Sequence, residues 1–114
     1  MELIYTAIAL FASAAMIGLY LLMCVLQKKP VPKGLAIIHG LLAATALVLL
    51  IVDMIKNGAD TVQIVVLFAI TALGGIVLFA RDMTGKSLPK GLAIVHGLLA
   101  VAGFIFLLIY TFGK

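Results

Sequence analysis

Apolar residues dominate the chain in four long runs, roughly 3–26, 34–52, 61–80 and 91–112, divided by short polar stretches. Each run approaches or exceeds the ~20 residues with which a helix crosses a hydrocarbon core. Main-chain groups in lipid must be satisfied within their own segment, so runs of this length read as helices. The pattern predicts four spans at about 3–26, 33–55, 60–82 and 90–112. The first break, Gln27 to Lys33, holds three lysines and two prolines. Proline stops one helix and suits the opening turn of the next. Lys56-Asn57-Gly58-Ala59-Asp60 turns the chain back, and Met83 to Pro89 joins the last two runs. The expected fold is all-α: an integral membrane four-helix bundle forming one domain over residues 1–114.

Composition agrees with a bilayer as solvent. Hydrophobic residues make up 66% of the chain and 11% are charged, against about half apolar and a quarter charged in soluble domains. The net charge of +4 does not point to nucleic acid, because the cations cluster in short loops. Lys28, Lys29, Lys33, Arg81, Lys86 and Lys90 fall at one end of the bundle, and only Lys56 and Lys114 at the other. The positive-inside rule then puts loops 1–2 and 3–4 in the cytoplasm and both termini outside. The expected location is a bacterial inner membrane. Residues 1–26 are expected to be a retained first helix rather than a signal peptide, since the run is long and Glu2 stands where a basic segment belongs. The single cysteine, Cys24, has no internal disulfide partner and reads as a small apolar residue near a helix end.

One stretch is repeated. Pro32 to Ala43 reads PKGLAIIHGLLA, and Pro89 to Ala100 reads PKGLAIVHGLLA, with eleven of twelve positions identical. The 57-residue offset also pairs Phe11 with Phe68, Ala12 with Ala69, Ala15 with Ala72 and Gly18 with Gly75. The chain therefore reads as two tandem helical hairpins, 1–57 and 58–114. Two spans per unit give both copies the same orientation, about an axis along the membrane normal. The only histidines, His39 and His96, are then expected at equal depth on parallel helices, facing one another.

Six residues separate Lys33 from His39, roughly 9 Å of helix. An ionisable ring at that depth belongs to the bundle interior and marks a functional site by default. Small residues share its face: Ala36, Ala43 and Ala46 around His39, and Ala93, Ala100 and Gly103 around His96. Such a stripe serves close helix packing or leaves room for a flat group between the rings. Gly18 and Gly75, with Gly74 beside the second, fall near the histidine level on helices 1 and 3 and read as clearance for a porphyrin. Two opposed imidazoles suit the axial positions of one haem b iron; zinc wants three or four protein ligands. Lys33 and Lys90 are positioned for the propionates, with Lys29 and Lys86 farther out. Other readings are a structural or proton-handling histidine pair, a quinone headgroup, or copper. Met16, Met23 and Met83 share no spacing with the histidines and read as packing.

On His39, His96, Gly18 and Gly75, the chain resembles the b-type cytochrome four-helix bundle, as in the core of respiratory cytochrome b. In that family the second and fourth helices supply paired histidines, and glycines on the first and third admit the porphyrin. The resemblance implies a one-electron carrier with a single bis-histidine haem near the cytoplasmic side. Its partners would be a quinone, a reductase, or a larger respiratory or photosynthetic complex in which it is an accessory subunit. One departure is clear. The second histidine pair common in that family, about four turns on, is replaced by Asp53 and Tyr110. A reading from another class is a non-haem scaffold, or a protein passing a small solute, with the histidines as polar fasteners. Nothing suggests an enzyme with its own substrate: there is no nucleophile–base pair, no paired carboxylates and no glycine-rich phosphate loop. Asp53, Asp60 and Asp82 fall at helix ends or turns, where a solvated surface role is expected.

Overall fold

The computed structural model describes residues 2–113, with Ala59 described by its backbone alone. It is all-helical: α1 Glu2–Leu26, α2 Lys33–Asn57, a 3-10 turn Ala59–Thr61, α3 Val62–Met83 and α4 Lys90–Phe112. All four long helices are long and apolar enough to cross a membrane. The long axis of 42 Å exceeds the ~30 Å hydrocarbon core. The helices follow the four apolar runs. The chief difference is at the second turn, where α2 continues to Asn57 and the 3-10 turn carries the chain into α3. Lys114, counted above among the basic residues, lies outside the described residues.

The helices form a ring in which α1 packs on α2 and α4, and α3 packs on α4 and α2. α1 faces α3 across one diagonal and α2 faces α4 across the other. The packed core lies toward the end that carries the termini: Ile4, Ala7, Phe11, Ala46, Leu50, Ile64, Val65, Phe68 and Leu107. At its centre the rings of Phe11 and Phe68, 57 positions apart, stack at 4.1 Å and 9°. Gly103 makes room for that stack, because a Cβ there would lie 3.0 Å from Phe68 Cζ. Toward the basic end burial is mixed: Cys24 and Ala93 are buried, whereas Gly18, Leu21, Leu42, Ala43, Gly75 and Leu78 are half-buried.

The same offset recurs in local structure. Pro32 and Pro89 precede α2 and α4 with nearly equal backbone angles (φ −64°, ψ 118° and φ −66°, ψ 121°). Their carbonyls accept from the N–H of Ala36 and Ala93, each at 3.0 Å. α1 ends in a Schellman turn, with Lys29 N–H donating to Cys24 O at 2.9 Å and Lys28 N–H to Val25 O at 3.1 Å. α3 ends in the same way through Lys86 to Arg81 and Gly85 to Asp82. The left-handed position is Gly85 (φ 75°) in the second copy but Lys28 (φ 58°) in the first. An L residue there costs roughly 1 kcal/mol relative to glycine.

Asp53 corrects a sequence expectation. It is 4% exposed rather than solvated, and Asn57 Nδ2 donates to its Oδ1 at 2.9 Å. The last turn of α2 stays helical through Asn57, so the carboxylate turns toward the packed interior and takes its partner from its own helix. Asp60 is exposed, as expected, whereas Asp82 is half-buried in an ion pair.

Candidate functional site

His39 on α2 and His96 on α4 meet across the bundle with ring centroids 6.3 Å apart and planes at 80°. Both are half-buried. Each ring is held by a helix of its own hairpin. His39 Nδ1 lies 2.8 Å from the carbonyl oxygen of Ala14 on α1, and His96 Nδ1 lies 2.8 Å from that of Thr71 on α3. A carbonyl oxygen only accepts, so Nδ1 carries the hydrogen in both rings and Nε2 presents its lone pair. Metal-bound histidines are commonly held this way, with the outer N–H tied to a main-chain carbonyl that fixes tautomer and ring angle.

The spacing gives a test of what the pair can hold. With a metal–imidazole bond of roughly 2 Å and a ring centre about 1.1 Å behind the nitrogen, imidazoles on opposite sides of one ion have centroids about 6 Å apart. The observed 6.3 Å, with the ring planes crossed at 80°, is compatible with that separation between the ring centres. Among the described residues no group of three or more histidine, cysteine or carboxylate side chains comes together. Two protein donors do not make a three- or four-ligand zinc centre; an ion held by them would need a non-protein ligand in its remaining positions, as haem supplies.

The glycines lie against the rings. A Cβ on Gly18 would be 2.8 Å from His39 Cε1, and one on Gly75 would be 2.9 Å from His96 Cε1. The space left by each missing side chain is occupied by an imidazole edge. Gly74 is less tight, its added Cβ lying 3.6 Å from His96 Nδ1. At the basic rim Lys33 Nζ contacts Asp82 Oδ2 at 3.2 Å, joining α2 to α3. Lys90 is exposed. The position 57 residues before Asp82 is Val25, so the seam between α4 and α1 has no matching bridge. Cys24 is buried on α1. Away from the histidines, a groove of about 560 Å³ opens between α3 and α4 near the termini, walled by Ile64, Leu67, Ile70 and Phe106 with Gln63 and Tyr110.

The two carbonyls were missed by side-chain reasoning, since a main-chain acceptor has no residue signature. A signal existed nonetheless: Ala14 and Thr71 are separated by the repeat offset, and each stands four residues before Gly18 or Gly75. No family model, curated protein or solved structure matches this chain.

Proposed function

We propose that this chain is a small membrane-embedded b-type cytochrome carrying one haem between His39 and His96. The observation behind it is the ring pair: two imidazoles at 6.3 Å, each with Nδ1 engaged by a carbonyl and Nε2 left as a ligand. When bound, haem supplies a reversible one-electron couple. His39 and His96 would fill both axial positions, which favours electron transfer over oxygen binding or substrate turnover. The carbonyls of Ala14 and Thr71 raise the basicity of the two rings and fix their planes. Lys90, exposed at the rim with Lys29 and Lys86 farther out, would meet a propionate, while Lys33 would first have to leave Asp82. The basic loops would be cytoplasmic and the termini outside, in a bacterial inner membrane. The electron partners are a quinone, a cytoplasmic-side reductase, or a larger complex to which this chain is accessory.

The test is an absorption spectrum of the purified protein supplied with haem. A reduced b-type band should appear, and it should vanish in His39→Ala and in His96→Ala. A folded, colourless wild-type protein would remove the proposal. One observation favours a second reading, in which the histidines are polar fasteners: each ring already ties two helices of one hairpin together through its Nδ1 bond. On that reading replacing both histidines with glutamine leaves assembly intact.

A further inference from the structure

An imidazole that donates to the carbonyl of helical residue i must reach past the side chain of residue i+4, because that carbonyl points along the helix toward the N–H of i+4. In α1 the acceptor is Ala14 and residue i+4 is Gly18; in α3 the acceptor is Thr71 and residue i+4 is Gly75. The ring atom nearest each glycine is Cε1, at 2.8 Å and 2.9 Å from where a Cβ would stand. Real Cβ atoms do not approach a neighbour that closely, and the neighbour here is a rigid ring already held by a hydrogen bond. The adjacent position behaves differently. A Cβ on Gly74 would make an ordinary contact at 3.6 Å, and its counterpart in the first hairpin is Ile17. Within this chain, then, the position next to the seat tolerates a side chain in the first copy, whereas the seat itself lacks one in both.

We infer that Gly18 and Gly75 are positioning residues for the histidines: each forms, with the carbonyl four residues earlier, a seat that docks one imidazole against the helix, fixes it as the Nδ1–H tautomer and aims its Nε2 for a metal. This changes the role assigned to the glycines from clearance for a porphyrin to clearance for its ligands. The seat is a property of the protein alone. Only its consequence for haem rests on the function proposed above.

The test uses the full chain in detergent micelles, labelled with ¹⁵N-histidine, so that two rings give two sets of signals. Without haem, the wild-type protein should show both rings as hydrogen-bonded Nδ1–H tautomers. Gly18→Ala should abolish that signature for one ring and leave the other, and Gly75→Ala should do the reverse. Gly40→Ala, where an added Cβ meets nothing within 4 Å, and Gly74→Ala should preserve both. On haem titration, each of the two seat variants should bind at least tenfold more weakly, with loss of the low-spin bis-imidazole spectrum, and the controls should match wild type.

If Gly18→Ala fails to fold, Gly18→Ala combined with His39→Ala should restore folding, because the clashing ring is gone. Failure of that double variant to fold overturns the seat, as does a Gly18→Ala protein that keeps both ring signals. If the wild type takes up no haem but the ring signals respond as described, the seat stands and the cytochrome reading falls. If haem binds equally to wild type and seat variants and the rings are unmoved, the seat falls alone.

Discussion

The two ends of the bundle solve different problems with the same four helices. Toward the termini the interior is closed by large apolar side chains: Leu50 and Leu107 are fully buried, and Phe11 stacks on Phe68 across the axis. Toward the basic loops the interior holds two imidazoles among glycines, alanines and leucines; Cys24 and Ala93 are buried there, while the rings, Gly18, Gly75, Leu21, Leu42 and Leu78 are half-buried. Lipid tails are as apolar as leucine, so helix association in a membrane depends on van der Waals packing and interhelical hydrogen bonds. The end with the termini relies on the first, and the basic end adds the second through the bonds of His39 and His96. The difference shows that sequence hydropathy, high along all four helices, does not report which end of the bundle is closed by large apolar side chains and which by polar rings.

The comparison breaks most sharply at Phe68. Phe68→Ala removes half of the central stack, and unfolding in mixed micelles should show a loss of about 3–5 kcal/mol. Leu21→Ala, at a half-buried site toward the basic end, should cost well under half of that; equal costs would mean that the two ends are packed alike. Next in size is Asp53. Asp53→Ala removes the bond from the exposed Asn57 amide to a buried carboxylate and should destabilise by about 0.5–1.5 kcal/mol in the same assay, whereas a carboxylate without a partner would cost almost nothing. The turns at the basic end carry smaller effects. Lys28→Gly gives the first hairpin the left-handed glycine that the second has in Gly85, and it should raise stability by about 0.5–1 kcal/mol. A decrease would mean that the Lys28 side chain has a role the turn does not explain. Smallest is Asp82→Asn, which opens the bridge to Lys33. With Lys33 half exposed the loss should be about 0.2–1 kcal/mol and should shrink in high salt. A larger, salt-insensitive loss would make the seam between α2 and α3 a structural lock.

Much of the architecture is legible in the sequence because its signals are one-dimensional. Prolines and polar turns set the helix ends to within a few residues, and apolar runs set their lengths. His39 and His96 stand out because an ionisable ring in an apolar run is rare, and the repeat puts them in register. Asp53 defeats a linear reading because position near a helix end says nothing of the direction in which a carboxylate turns. Lys33 reads as a partner for a prospective ligand, yet it contacts Asp82, forty-nine residues away, a pairing that only the adjacency of α2 and α3 creates.

By itself the sequence determined four apolar helices, their turns, and two near-identical histidine settings one repeat apart, because length, proline and periodicity act locally on the backbone. Only the tertiary structure decided what lies against the glycines and what holds the rings. Those contacts depend on which carbonyl and which missing Cβ a neighbouring helix brings within 3 Å of an imidazole, and interhelical distance is set by packing, which no single helix encodes.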